Sequence, residues 1–321
     1  MENTYHIPVL LNEVISGLEI KPNGIYVDLT LGGAGHSSEI AKKLSNGILI
    51  GFDKDVEAIS ESTKKLSKII KISKDDLLKA GEALLINKDF KLAPEILKNL
   101  GIESVDGILI DLGVSSHQID TPSRGFSFKT PGDLDMRMDQ SQSLTAKKLV
   151  NELSEEQLKK IFWEFGEEEF ASKIAKNIVK ERQNGPIETT LQLNEIVENA
   201  LPKKVVFSRG GAAKKVFQAL RIAVNGELDN LKETLENLIE MLKPGGKICI
   251  ISFHSLEDRI VKSVFKEKSL GCVCPPSFPK CVCNHEASIK IITKKPIVAS
   301  EQELKQNSRS ASAKLRIAEK I

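Results

Sequence analysis

At 321 residues the chain has room for one large or two moderate domains with ample core. With 40% apolar and 28% charged residues it has an ordinary soluble composition, and no apolar run approaches the length of a membrane span. The N-terminus, MENTYHIPVLL, carries no basic region followed by an apolar segment, so a cytoplasmic protein without a membrane partner is expected; a net charge of +2 is too small to announce nucleic-acid binding by itself.

Helix and strand patterns alternate from the start. A helix is expected over 10–18, a strand over 24–28, a helix over 37–44, a strand over 48–53 and a helix over 56–66. A helical stretch at 74–85 and another at 91–100 then lead to a strand at 105–111. Such alternation predicts a parallel sheet wound with helices, and the continuous apolar runs fit strands covered on both faces. From about Gly125 the grammar changes. Segments 144–153, 155–165, 168–184 and 191–200 all carry helical spacing, with Thr145, Ser154 and Thr190 placed as N-caps. Strand grammar returns over 228–242, followed by the turn Lys243-Pro-Gly-Gly246 and an apolar strand at 247–253. A helical block at roughly 120–210 therefore interrupts an α/β domain.

The first strand ends on Asp28 and runs into the turn Leu29-Thr-Leu-Gly-Gly-Ala-Gly-His36, with a helix directly behind. Strand, glycine turn and helix N-terminus form a nucleotide-type ligand site, and Asp53 ends the next strand where an acid meets a ribose hydroxyl pair. A dinucleotide fingerprint needs a third glycine, and Ser38 stands in its place. Asp28 would repel a pyrophosphate and suits a ligand with a cationic part, such as S-adenosylmethionine. NAD, or a tight turn without ligand, remain the alternatives on these residues.

Ligands of open parallel sheets bind outside the carboxyl ends of the strands. Two further strand ends carry polar sequence there: Asp111-Leu-Gly-Val-Ser-Ser-His-Gln118 and Ser252-Phe-His-Ser-Leu-Glu-Asp258. Asp111 is either a turn carboxylate or an acceptor for the donor or for an amine about to be alkylated. His254 is either a general base or a residue that shapes its turn. In Arg124-Gly-Phe-Ser-Phe128 and Leu134-Asp-Met-Arg-Met-Asp139, Phe126 or Phe128 is positioned to stack on a base, and Arg124 and Arg137 to meet phosphate or base edges. A hinge held by local salt bridges is the other reading of that loop.

Basic residues cluster at Lys203, Lys204, Arg209, Lys214, Lys215 and Arg221, and again in the tail at Lys305, Arg309, Lys314, Arg316 and Lys320. Cys249 falls in an apolar run and reads as core. Cys272, Cys274, Cys281 and Cys283 form two Cys-x-Cys units near His285. The spacing is tighter than the usual zinc pattern, so a loop of free thiols is preferred and no metal is assigned.

Taken together these segments resemble the RsmH (MraW) family of bacterial methyltransferases, which modify N4 of a cytidine in the decoding region of small-subunit ribosomal RNA. The resemblance runs from HIPVLLNEV through DLTLGGAGHS, DGILIDLGVSSHQID, RGFSF and LDMRMD, and resumes at FQALRIAVNGEL, KPGGKICIISFHSLEDRIVK, CVCPP and SRSASAKLRIAEK. It implies a class I (Rossmann-like) methyltransferase sheet, residues 1–120 and 211–321, with an inserted all-helical substrate-recognition domain at 121–210. It also implies S-adenosylmethionine as cofactor and 16S ribosomal RNA of the small subunit as partner. Carried over by motif, the donor site comprises Ala34, Gly35, His36, Asp53, Asp111 and Gln118, with Phe90 against the adenine. A non-catalytic assembly factor that keeps a degenerate donor pocket is the rival from another class.

Overall fold

The computed structural model describes residues 8–73, 78–208, 211–272, 274, 278, 280–283 and 285–321. Residues 74–77 of the expected helix, Arg209 of the basic cluster, and Val273, Pro275 and Pro276 of the CVCPP segment lie outside them. The chain divides into two compact units, Met1–Gly113 with Asn230–Ile321, and Val114–Asp229.

The first unit begins with α1 (Leu11–Leu18), β1 (Ile25–Asp28), α2 (Gly35–Lys43), β2 (Ile48–Phe52), α3 (Val56–Leu66), β3 (Lys71–Ile72), β4 (Glu82–Ile86), α4 (Ala93–Asn99) and β5 (Val105–Asp111). The second unit is helical: α5 (Ser116–Asp120), α6 (Ala146–Glu152), α7 (Glu155–Glu164), α8 (Ala171–Glu181), α9 (Thr190–Ala200), α10 (Lys203–Ser208) and α11 (Lys214–Asn225). The chain then returns to the first unit with α12 (Leu231–Glu240), β6 (Leu242–Ser252), α13 (Ser255–Lys268), β7 (Ile289–Ile291), α14 (Glu301–Gln306) and β8 (Lys314–Lys320).

The fold class is α/β, as the alternation of elements implies. One sheet has the order β3-β4-β2-β1-β5-β6-β8-β7. Its strands are parallel from β3 to β6, while β8 runs antiparallel between β6 and β7. In register, Asp28 sits beside Gly51 and Leu109, so β1, β2 and β5 end at one edge. Tyr26, Leu49, Leu109, Cys249 and Ile317 belong to the apolar cluster of this unit, while Phe162, Ile174, Leu193, Val216 and Leu220 belong to that of the helical unit. No helix among the described residues is long and apolar enough to cross a membrane.

Three local expectations are corrected. Residues 82–86 form a strand and not the end of a helix. Glu, Ala and Leu favour helices, but parallel pairing with β2, from Leu49–Ala83 to Phe52–Ile86, overrides that local preference. Residues 231–240 form a helix and not a strand, because Leu231, Thr234, Leu235, Leu238 and Ile239 bury a stripe at helical spacing. The cap of α9 is Thr189, whose hydroxyl accepts the Gln192 amide, whereas the Thr190 hydroxyl donates to the Thr130 carbonyl at 2.7 Å.

Gly51 shows how tightly the sheet edge is packed. A Cβ added there would lie 2.5–2.7 Å from three side-chain atoms of Leu31, a buried residue of the glycine turn. Gly51→Ala is therefore expected to cost about 1–3 kcal/mol in urea unfolding through overpacking. An unchanged midpoint would show that Leu31 relaxes freely and that the turn is not clamped to β2.

Candidate active site at the carboxyl edge of the sheet

The glycine turn is built around a buried acid. Asp28 is sequestered from solvent, with Oδ2 accepting from the Ser37 hydroxyl at 2.6 Å and Oδ1 from the Thr30 amide at 3.2 Å. Beyond it, Leu31 turns onto β2, where its amide donates to the Phe52 carbonyl at 2.9 Å. Gly32 (φ 49°) and Ala34 (φ 50°) then take left-handed backbone, a conformation that glycine adopts without strain and alanine does not. Ala34 is the N-cap of α2 and makes no side-chain cap, and Gly35 backs onto Pro8, where a Cβ would lie 2.9 Å away. Burial raises the Asp28 carboxyl to about 6, against the hydrogen bonds that favour its ion.

Asp53 ties the second strand to the same turn. Its Oδ2 accepts from the Gly32 amide at 2.8 Å and its Oδ1 from the Asp55 amide at 2.9 Å. Burial raises its carboxyl to about 6 as well. The Asp53 amide donates to the Ile86 carbonyl, which brings the end of β4 alongside. Asp89 caps the short 3-10 helix Phe90–Leu92 just beyond, so half-buried Phe90 stands two strands from the glycine turn at the same edge.

Asp111 is the outlier. Its amide donates to the Thr30 hydroxyl at 2.6 Å, which locks the end of β5 to the turn after β1. Its Oδ2 lies 3.9 Å from His36 Nδ1, and the other His36 ring nitrogen is 2.9 Å from the Val9 carbonyl. Asp111 Oδ1 is buried with no hydrogen-bond partner among the described residues. Burial first, then Asp28 and Glu257, push this carboxyl well above the ordinary range. A buried acceptor left unpaired is costly and persists at sites of function.

The structure gives His254 a different task from general base. It is the N-cap of α13: Nδ1 accepts from the Glu257 amide at 3.4 Å, which places the ring proton on Nε2, 3.1 Å from Glu257 Oε1. The buried Glu257 carboxylate returns the bond by accepting the Phe253 and His254 amides at 2.8 and 3.2 Å. The ring's basic nitrogen is thus engaged in holding the helix. Glu257 and Thr30 were not singled out in the sequence; the i, i+3 spacing of His254 and Glu257 is a capping-box signature that would have marked the first of them.

In the helical unit the expected substrate contacts prove to be framework. Gln118 closes a capping box on α5, its carbonyl oxygen accepting the Ser115 amide at 3.0 Å. Arg124 is 4% exposed and donates to the carbonyls of Arg137 and Met138, both at 3.0 Å. The Arg137 guanidinium makes two bonds to Asp135, at 2.7 and 2.8 Å, and two more to the Gln140 and Gln142 carbonyls. Phe126 packs against the helical core, as does Phe128, which meets Phe217 edge-on at 5.7 Å. The reading of Arg124, Arg137 and Phe126 as groups that touch a substrate gives way to one in which they hold the 134–139 loop. Asn225, overlooked in the sequence, completes that work: Oδ1 accepts the Met138 amide at 2.8 Å and Nδ2 donates to the Met136 carbonyl at 2.7 Å. Met136 itself has φ 64°, so the loop is held in a strained turn.

Carboxyl groups thus end β1, β2 and β5, and a fourth opens α13 behind β6. Such an edge disfavours a pyrophosphate and favours a ligand that offers hydroxyls and positive charge. Comparison with known proteins shows the family. The model of the MraW methylase family matches residues 3–321. The ribosomal RNA small subunit methyltransferase H of Finegoldia magna is 52% identical over 318 residues, 98% of each chain. The enzymes of the same name from Halothermothrix orenii and Brevibacillus brevis are 50% and 46% identical, over 98–99% of this chain and 98% of theirs.

Two outcomes follow from the geometry. Asp28 sits at an ordinary value of 3.8 when unfolded and about 6 when folded, so between these the native chain holds a proton that the unfolded chain has lost. Stability from this group is fully present below about 4 and is lost as pH rises through about 6. Asp28→Asn should remove about 2 kcal/mol of that fall between pH 4.5 and 7, read from urea unfolding of the two proteins side by side; identical pH slopes would mean that Asp28 titrates normally. Asn225→Ala should cost about 2–4 kcal/mol, because it strands the Met136 carbonyl and the Met138 amide in a buried loop. A loss below about 0.5 kcal/mol would show that the loop holds without it.

Proposed function

Because the chain belongs to the MraW methylase family, we propose that it transfers a methyl group from S-adenosylmethionine to N4 of a cytidine in the decoding region of 16S ribosomal RNA. The observation that carries this reading is Asp111, a buried carboxyl with no partner for Oδ1 among the described residues, whose titration is raised further by the neighbouring Asp28 and Glu257 carboxyls. The residues present fit the cofactor: a cationic amino acid moiety would relieve the orphaned oxygen, and Asp53 is placed to accept from ribose hydroxyls. When bound, S-adenosylmethionine supplies an electrophilic methyl group and departs as a neutral thioether.

The chain's residues hold and orient. Ala34, Gly35 and His36 line the turn, and Phe90 offers a flat face for an adenine. The exocyclic nitrogen of cytosine is a poor nucleophile because its lone pair is conjugated into the ring. An acceptor for the amine's N–H groups, Asp111 where the cofactor leaves it free or otherwise a nearby backbone carbonyl, would favour pyramidalisation as the N–C bond forms, and the displaced proton leaves to solvent. Alignment of the two reactants can by itself remove about 7–11 kcal/mol of barrier.

RNA recognition is assigned to the helical insertion. Of its basic residues, Lys215 donates to the Glu167 carbonyl and Arg221 pairs with Glu227, whereas Lys203, Lys204 and Lys214 are exposed. Phe207, 85% exposed on the same short helix as the first two lysines, is suited to stack on an unpaired base. In the tail, by contrast, Lys314 and Arg316 pair with Asp258 and Lys320 with Glu240, so these cations brace the sheet.

Asp111→Asn tests the reading. Calorimetric titration of the wild-type protein with S-adenosylmethionine should release protons on binding and tighten as pH rises, since the ligand selects the ionised carboxyl. The variant should bind about 10–100-fold more weakly, with no linked proton release, a loss of about 1.4–2.7 kcal/mol. In cells lacking the gene, mass mapping of 16S RNA should show one cytidine without its N4 methyl group, restored by the wild-type gene and not by the variant. Intact methylation at every cytidine would refute the substrate, and the absence of binding heat would favour the scaffold.

A further inference from the structure

The segment 269–288 joins α13 to β7 and is closed at its neck. There the Ser288 amide donates to the Lys268 carbonyl at 2.8 Å, and His285 Nε2 lies 3.1 Å from the Glu267 carbonyl. Beyond the neck the large apolar side chains among the described residues lie open to solvent, Phe278 49% and Val282 69% exposed. A segment of this length with such side chains exposed needs some other staple to hold one conformation.

The four thiols supply the parts of one. Cys272, Cys274, Cys281 and Cys283 converge until their Sγ atoms all lie within 4.8 Å of one another. Cys283 Sγ is 3.4 Å from Cys281 Sγ and 3.7 Å from Cys272 Sγ. These separations are far beyond a disulfide's bond of about 2 Å. They approach the sulfur–sulfur spacing of about 3.8 Å that follows from a tetrahedron with metal–sulfur bonds of about 2.3 Å. Two backbone amides point at sulfur as well: Cys274 N–H donates to Cys272 Sγ and Val282 N–H to Cys274 Sγ, both at 3.4 Å. Hydrogen bonds to ligand atoms of this kind orient a coordination sphere and favour the thiolate. His285 is engaged at the neck, so the donor set is four sulfurs.

We propose that Cys272, Cys274, Cys281 and Cys283 bind one zinc ion in a closed tetrathiolate site that staples this loop. Four S–H bonds give up their protons to solvent as four Zn–S bonds form, and nothing is oxidised or reduced. Soft thiolate ligands in a tetrahedron select zinc over magnesium, calcium or manganese. With every position taken by protein there is no open site for a reacting water, so the role is structural and separate from methyl transfer.

Elemental analysis of the full chain, grown with zinc, iron and copper all supplied, should find one zinc per chain. The four thiols should resist a thiol reagent in the native protein and react once a mercurial releases the metal to a chromogenic chelator. Replacement by cobalt should give the near-ultraviolet charge-transfer bands of a thiolate complex. The double variant C272S/C274S should drop the zinc content from one to near zero, with circular dichroism reporting whether the rest stays folded. Should it fail to fold, the wild-type metal content and thiol protection still decide. A metal-free protein with four readily titrated thiols, a mass deficit that marks disulfides, or stoichiometric iron or copper in the site would each overturn the proposal.

Discussion

Burial of carboxyl groups at one edge of the sheet is the constraint on which the rest of the architecture depends. Asp28, Asp53, Asp111 and Glu257 stand at or just beyond the ends of β1, β2, β5 and β6, where desolvation makes each ionised form expensive. Three of the four are compensated locally by backbone amides or a hydroxyl, and those bonds shape the glycine turn, fix β2 to it and cap α13. Asp111 alone keeps an oxygen without a partner among the described residues. The edge is thus assembled so that the cost of charge is met everywhere except at one position.

Much of this was legible in the sequence because strand and turn in parallel α/β sheets are written in short local signals. Apolar runs ending in Asp28, Asp53 and Asp111 mark β1, β2 and β5, and Gly32 and Gly35 mark the turn. What stayed hidden was non-local. β4 is made of helix-favouring residues and becomes a strand only because β2 offers a ladder. β8 is a basic, polar-looking segment whose Leu315 and Ile317 join the apolar cluster of the first unit once it pairs with β6, while Arg316 is neutralised by Asp258.

The site residues divide in the same way. Gly32 and Gly35 can be placed from a turn motif, since a left-handed backbone at the one and the close approach of Pro8 at the other dictate glycine. A polar side chain in a loop cannot, because Arg, Asp and Asn serve equally to bind a substrate and to satisfy the chain's own carbonyls. Arg124 and Arg137 are ambiguous in the sequence for that reason, and their partners in the fold decide them. Every donor of Arg137 that is accounted for goes to Asp135 or to backbone oxygens within five residues. Such a loop is conspicuous in sequence because it is structurally demanding: Met136 holds a left-handed turn that only this network of bonds can offset.

The distribution of charge carries a consequence for the reaction. Clustered carboxyls favour a sulfonium and an ammonium over a phosphodiester backbone, which fits the proposed donor site better than a site for RNA phosphates. Of the two basic clusters, Lys203, Lys204 and Lys214 are exposed in the second unit, while Lys314, Arg316 and Lys320 of the tail pair with Asp258 and Glu240. The proposed reading accordingly gives phosphate binding to the second unit and methyl transfer to the first. For the proposed reaction, a neutral base is more compatible with such carboxyls than its phosphate backbone is, so the reading calls for a base that has left its stack. Extrusion costs a few kcal/mol and least for a base already unpaired, so the proposed mechanism favours an unpaired cytidine as its target.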